Sequence, residues 1–210
     1  MSQLIRDIDR YYTDKISAYG ATPAGVDWNG EASQFTRFQQ LARIIQENGQ
    51  FVLNDLGCGY GSLIDYLETT RSGRYRYLGY DVSSEMIAHA RRRYRSNQHT
   101  DFLHIHSASE LSCADYTVSS GIFNVRMQHS DEEWLAHILQ TLDHINKASK
   151  KGFSFNSLTK YSDSEYMKDY LYYADPCFLF DHCKRNYSDR VALLHDYGLY
   201  EFTMLVTKQE

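Results

Sequence analysis

Over the first fifty positions apolar residues recur at helical spacing; beyond them short apolar runs alternate with amphipathic segments. Residues 6–20, RDIDRYYTDKISAYG, read as a helix closed by Gly20. Pro23, Gly25 and Gly30 punctuate the loop that follows. Phe35, Phe38, Leu41, Ile44 and Ile45 then repeat every three or four positions, which predicts a second helix over 31–49 with Gly49 at its end. From residue 51 onward FVLND, YRYLGYD, DFLHIH, DYTVSSG and GFSFNSL read as strands. SLIDYLETT, SSEMIAHARRRYRSN and DEEWLAHILQTLDHINKAS read as helices between them. The helix after the second strand has a Ser cap and Glu85 in its first turn. In the helix before GFSFNSL, Trp134, Ile138, Leu142 and Ile145 share one face.

Strands alternating with helices predict an α/β fold, a mainly parallel sheet covered on both faces. The rhythm breaks at the end. RVALLHDYGLYEFTMLVTK reads as two strands turning around Tyr197-Gly198, a hairpin, and so adds an antiparallel strand. Ahead of it, residues 158–176 are polar and tyrosine-rich, and the chain turns helical after Pro176. The expected organisation is one domain over 1–210, with a helical cap over 1–50 and a core over 51–210 that carries this insertion.

Composition narrows the function classes. A formal net charge of -5 and a pI near 6.0 offer no bulk attraction to nucleic acid or an anionic membrane. The arginines at 91–93 and 95 sit on a helix and read as a solvated face. No apolar run approaches the ~18 residues of a membrane span, and MSQLIRDIDR carries charges where a secretory leader has an apolar core. Cys58, Cys113, Cys177 and Cys183 form no CxxC pair, so no disulfide framework or metal site is read. The expectation is a cytoplasmic protein without membrane or nucleic-acid partners. Its unusual feature is 18 tyrosines.

The chemistry concentrates at NDLGCGYG, residues 54–61, where the first strand leaves the sheet. Ligands of open α/β sheets bind beyond the carboxyl ends of the strands, and glycines let the backbone approach them closely. The spacing is G-x-G-x-G, not the G-x-G-x-x-G of dinucleotide folds. Asp55 precedes the first glycine by two, which suits a cationic ligand better than a pyrophosphate. Asp81, ending the second strand, can accept hydrogen bonds from both hydroxyls of a ribose. The alternative is a turn built only for packing, with Asp81 as a helix cap.

VLNDLGCGYG, LGYDVSSEMI and ADYTVSSGIFN resemble the first, second and fourth-strand motifs of the class I S-adenosylmethionine-dependent methyltransferases, and the resemblance spans about residues 50–207. The whole chain, with YYTDKISAYGATPAGVDW ahead of those motifs, is also similar to small bacterial members of that class. The resemblance implies a Rossmann-like seven-stranded sheet of order 3-2-1-4-5-7-6 with the last strand antiparallel, and N-terminal helices closing over the cofactor. It implies that Asp55 and the backbone from Gly57 through Cys58 and Gly59 to Gly61 hold the methionine end of S-adenosylmethionine. Asp81 would take the ribose, Val82 and Met86 flank the adenine, and Ser107 and Ala108 face its amino edge. Ser120, in the fourth-strand loop, joins the cofactor set. Arg37 would meet the methionine carboxylate; read from the residues alone it is a solvated helix-face arginine.

The acceptor belongs beyond the fourth and fifth strands. His129 and His195 are candidate bases, although a lone histidine is more often structural or merely exposed, and Asn124 could orient a substrate or equally serve the turn. The tyrosine-rich insertion suits a pocket for a partly polar small molecule. Its alternative is a lid packed on the sheet edge or on a second subunit of a homodimer. SSGIFN lacks the D/N-P-P-Y/F signature of base-amino methylation, which disfavours nucleic-acid substrates. The expected activity is methyl transfer from S-adenosylmethionine to a small-molecule or saccharide-like acceptor, at oxygen. The alternatives are a small-amine N-methyltransferase and a catalytically silent cofactor-binding partner subunit.

Overall fold

Seven strands form one sheet in the order β3-β2-β1-β4-β5-β7-β6 in a computed structural model that describes residues 2–28, 30–46, 49–71 and 74–209. The strands are β1 Phe51–Leu56, β2 Tyr75–Asp81, β3 Thr100–His104, β4 Ala114–Ser119, β5 Ser149–Leu158, β6 Arg190–Leu194 and β7 Glu201–Thr207. Pairing is parallel from β3 through β5, and β7 runs antiparallel to both β5 and β6. This is the sheet that the class I resemblance implied.

The helices are α1 Gln3–Tyr19, α2 Glu31–Leu41, α3 Leu63–Arg71, α4 Ser84–Arg93, α5 Asp131–Ala148 and α6 Pro176–Asn186. Ser83 caps α4 by accepting from the Met86 amide. Ser130 and Glu133 form a reciprocal capping box on α5. Pro176 opens α6 behind Asp175, whose side chain accepts from two amides of the first turn. One core layer packs Phe38, Leu63, Ile64 and Ile87 against Leu53 and Tyr77 of the sheet. The opposite layer packs Trp134, Ile138, Leu142 and Ile145 of α5 against Phe153, Phe155 and Met204. Trp134 also donates its indole N–H to the Phe123 carbonyl at 2.8 Å, so α5 is pinned to the loop after β4.

The second helix departs from its predicted length. It stops at Leu41, tightens into a single 3-10 turn over Ala42–Ile44, and is extended by Ile45. The Ser154 hydroxyl donates to the Leu41 carbonyl at 2.9 Å, taking up an acceptor that a continuing helix would use. Ile44 and Ile45 are buried, because the chain turns them onto the sheet. The helical periodicity was real packing periodicity carried by a different backbone. Part of the predicted segment, residues 47–48, lies outside the described residues.

α2 is joined to the far side of the sheet by a buried bidentate pair. Arg37 Nε and Nη2 each donate to Glu201 at 2.8 Å, and both residues are under a tenth exposed. Glu201 also accepts from Asn156 Nδ2 at 2.7 Å, and Asn156 Oδ1 accepts from the Gly121 amide at 2.7 Å. Removing one partner of a buried pair strands the other charge and costs about 3–5 kcal/mol. Arg37→Met is therefore expected to lower urea-unfolding stability by that amount, and Arg37→Met/Glu201→Met to regain most of it. A loss under about 1 kcal/mol for the single variant, the range of exposed pairs, would refute the buried-pair account.

Candidate functional site

The turn after β1 is shaped by hydrogen bonds to its neighbour strand. Gly57 and Cys58 both donate their amides to the Tyr80 carbonyl, at 2.8 and 3.0 Å. Gly57 has φ of +77°, and a Cβ there would come within 2.1 Å of Ile122 Cγ2, so only glycine fits. The Gly59 amide donates to Asp81 Oδ2 and the Ser83 amide to Oδ1, each at 2.9 Å. An ionised carboxylate has about four acceptor positions, so each Asp81 oxygen keeps capacity for one more donor. Burial pushes the Asp81 carboxyl up to about 6, against the lowering effect of the amides that it accepts. Asp55 is pushed up to about 7 by burial, with the Tyr77 hydroxyl, 2.6 Å from its Oδ2, working the other way.

These groups line one side of a cavity at the carboxyl end of the sheet. Asp55, Gly57, Cys58, Gly59 and Asp81 border it from the first two strands. Val82, Met86, Ser107, Ala108 and Ser120 complete the sequence-predicted residues on its wall. The Ser120 hydroxyl is buried without a hydrogen-bond partner, a donor available to an occupant. Ile5, Ile8 and Tyr12 of α1 lie across the cavity. α1 is tied down by Thr13 Oγ1 against Ser83 Oγ at 2.7 Å. Tyr11 and Lys15 also grip Asp27, each at 2.6 Å.

Two predicted cofactor residues fall elsewhere. Gly61 belongs to the turn but backs onto Tyr94 and Phe102, between α4 and the sheet, and does not border the cavity. Arg37 is neither solvated nor on this cavity: it is buried against Glu201, with Trp28 stacked 4.0 Å from its guanidinium carbon. Two residues that sequence reading missed, His137 and Thr141, reach the cavity from α5. Burial lowers the His137 pKa to about 4, so it is neutral at pH 7. Their three- and seven-residue offsets from Trp134 put them on the same helix face, a signal that the apolar periodicity of that face does not carry.

A second cavity of about 390 Å³ adjoins the first, and Tyr12, Val26, Trp28 and Gly121 line both. A Cβ at Gly121 would lie 2.4 Å from the Trp28 ring, so the glycine at φ +76° lets the indole close against the β4 loop. Asn124 borders this second cavity while its Oδ1 accepts from the Leu158 amide at 3.0 Å. The insertion forms the outer wall, held by Met127 N–H to the Tyr170 carbonyl at 2.9 Å and Tyr172 N–H to the Asn124 carbonyl at 2.8 Å.

Neither candidate histidine borders either cavity. His129 sits just ahead of the α5 capping box, between Asp7 of α1 at 3.4 Å and Glu133 at 3.7 Å. His195 is exposed at the β6–β7 turn, its ring near Tyr161 and Phe202. Among the described residues no group of three or more His, Cys, Asp or Glu side chains converges to hold a metal ion. Nor, among them, is any helix long and apolar enough to cross a membrane.

Residues 53–149 match the family model described as a methyltransferase domain. The chain is 57% identical over 167 residues to the Mycobacterium tuberculosis (strain ATCC 25618 / H37Rv) protein called "Putative methyltransferase Rv1506c", covering 79% of this chain and 98% of that one. Among solved structures it resembles magnesium protoporphyrin IX methyltransferase from Synechocystis PCC 6803 with bound S-adenosylhomocysteine (SAH). That likeness has a TM-score of 0.65 at 15% identity, over 98% of each chain. It also resembles the N-methyltransferase NodS from Bradyrhizobium japonicum WM9 in complex with SAH, with a TM-score of 0.60 at 12% identity over the full length of both. The chain belongs to the class I methyltransferases, the enzymes that use S-adenosylmethionine as methyl donor.

Proposed function

We propose that this protein binds S-adenosylmethionine in the first cavity and directs its methyl group to an oxygen of a small, saccharide-like acceptor in the second. The observation that carries the proposal is the wall that the two cavities share at Tyr12, Val26, Trp28 and Gly121. In-line displacement needs donor and acceptor aligned across a short gap, and a silent cofactor-binding subunit has no use for the second chamber. The bound SAH in the solved structures of magnesium protoporphyrin IX methyltransferase and NodS supports the choice of cofactor.

The residues present fit the cofactor. Asp81, with one acceptor position left on each oxygen, would take the two ribose hydroxyls. Met86 and Val82 offer apolar contact for the adenine, and the buried, partnerless Ser120 hydroxyl is a donor. Asp55 sits where a positive charge would be welcome. When bound, S-adenosylmethionine supplies an electrophilic methyl group. The protein's own task is to orient the acceptor, exclude water and take the proton of a hydroxyl.

The charge pattern of the second cavity favours a neutral polyol over an ammonium. Its two carboxylates are already paired, Asp27 with Lys15 and Glu201 with Arg37. An ammonium would meet no uncompensated negative charge there, and Lys168 adds a positive one, whereas hydroxyls can share the Tyr12, Tyr170, Asn124 and Ser162 groups and the acceptor position left on each Asp27 oxygen. Asp27, between the shared-wall residues Val26 and Trp28, is the group we assign to receive the acceptor proton. It holds an unusual left-handed conformation, φ +65°, in which Tyr11 and Lys15 orient both oxygens.

The direct test is incubation of the purified protein with methyl-labelled S-adenosylmethionine and a fractionated small-molecule extract. Transfer into a polyhydroxylated fraction is expected, as alkali-stable ether label; label in amine fractions would sink the oxygen assignment. Asp27→Asn should slow that transfer by about 10²- to 10⁴-fold while calorimetric affinity for S-adenosylmethionine holds. An unchanged rate would remove Asp27 from the mechanism.

Asp81→Ala should weaken S-adenosylmethionine and SAH alike by about 1–3 kcal/mol, and unchanged affinity would remove the ribose assignment. The same carboxyl predicts a pH dependence. Ribose hydroxyls donate to the ionised form, and the free carboxyl ionises as pH rises through about 6. Affinity should therefore climb between about pH 5 and about pH 7, with protons released on binding below that range's top. Asp81→Asn should abolish the part of the climb centred near pH 6, as read by titration in buffers of different ionisation enthalpy.

A further inference from the structure

Two tyrosines of the second cavity are far more exposed than a pocket wall requires. Tyr166 is 60% and Tyr200 45% exposed, although both border the cavity. Their ring centroids lie 6.0 Å apart with the planes tilted by 34°. Burying aromatic area is favourable, and paired exposed rings on a rigid support are poised to cover something.

The support is rigid. The Tyr200 hydroxyl donates to Asp163, one residue before the single 3-10 turn Ser164–Tyr166 that carries the other ring. The Tyr173 hydroxyl accepts from the Lys168 amide at 2.9 Å just beyond that turn. Thr159 bridges to Ala174 and Val125 to Leu171, so the whole insertion is knitted to the sheet's carboxyl edge. The backbone that carries both rings is therefore tied down by these bonds, which lowers the ordering cost of binding.

Polar groups surround them. Ser162 and Lys168 border the same cavity on the insertion, and Asn124 borders it on the β4 loop. Flat apolar faces rimmed by hydrogen-bonding groups match a pyranose, which presents C–H bonds on its face and hydroxyls around its edge. Such a ring seated on the exposed faces lies outside the cavity and can be continuous with a residue inside it.

We propose that Tyr166 and Tyr200 form an outer saccharide subsite, so that the acceptor is a disaccharide or longer glycoside, methylated on the residue held inside the cavity while the next residue stacks on the two rings. The proposal rests on the saccharide reading of the acceptor. The subsite takes no part in the chemistry and sets chain-length specificity.

The experiment is calorimetric titration of the full-length protein, saturated with SAH. The probes are the methyl glycosides of glucose, mannose, galactose, fucose and rhamnose, each beside a disaccharide of the same sugar. In one series the disaccharide should bind about tenfold tighter than its methyl glycoside. Tyr166→Ala/Tyr200→Ala should erase that gain, bringing the affinities for disaccharide and methyl glycoside to within about twofold of each other. Tyr19→Ala, which removes an equally exposed ring outside both cavities, should keep the gain. Equal affinities for the two ligands in wild type, or a gain that survives the double substitution, would overturn the subsite alone. So would light scattering that finds a wild-type dimer dissociated by the double substitution, because the rings would then cover a second copy. Binding of no probe in any series would instead strike the saccharide reading, and the subsite with it.

Discussion

Arg37 and Glu201 lie 164 positions apart, and their bidentate contact organises the part of the molecule where chemistry is proposed. The pair needs a second acceptor and donor to be tolerable in the interior, because each ion loses its hydration. Asn156 supplies one through Glu201 and passes the constraint on to the Gly121 amide. Trp28 stacks on the guanidinium, whose Nη1 is buried without a hydrogen-bond partner, and the indole also rests against Gly121. The cap helix α2, the antiparallel strand β7, the fifth strand and the β4 loop thus meet in one hydrogen-bonded unit. Trp28 and Gly121 of that unit form the shared wall of the two cavities together with Tyr12 and Val26.

The cofactor side depends on a different economy of charge. Asp81 is held by two amides and Asp55 by one phenol, and burial raises both carboxyls toward neutrality. A buried carboxylate short of donors is costly by itself. Two ribose hydroxyls and a sulfonium would complete what the fold leaves unsatisfied. On the acceptor side the carboxylates are already paired with cations, so the two chambers differ in what they ask of a ligand. One invites hydroxyls and positive charge together; the other offers hydroxyl-binding groups and one lysine, Lys168.

The likeness of the chain to solved methyltransferases at 12–15% identity covers 98–100% of its length and shows the shared fold. On the proposed reading, acceptor choice rests on the elements that wall the second cavity. Here those are α1 with its Asp27 clasp and the tyrosine-bearing insertion, both built on hydrogen bonds that no short motif encodes.

The alternation of strand and helix and the glycine turn that borders the first cavity were legible from residues 51–119, because each signal there is local, whereas the strand order came from the family resemblance. A glycine with positive φ, a carboxylate at a strand's end and a Ser cap act on atoms within a few positions of themselves. Asp55 and Asp81 could be placed beside that turn for that reason, and both border the first cavity. The roles of Arg37, His129 and His195 were not, because a side chain's partner is set by which elements the fold brings together. Arg37 read as a solvated helix arginine or a cofactor contact, and only the approach of β7 made it half of a buried ion pair. His137 and Thr141 drew no reading, because neither is apolar and the helix face they share with Trp134 lines the cavity only in the folded chain. Periodicity reports which face is buried; what that face meets is decided by tertiary contact.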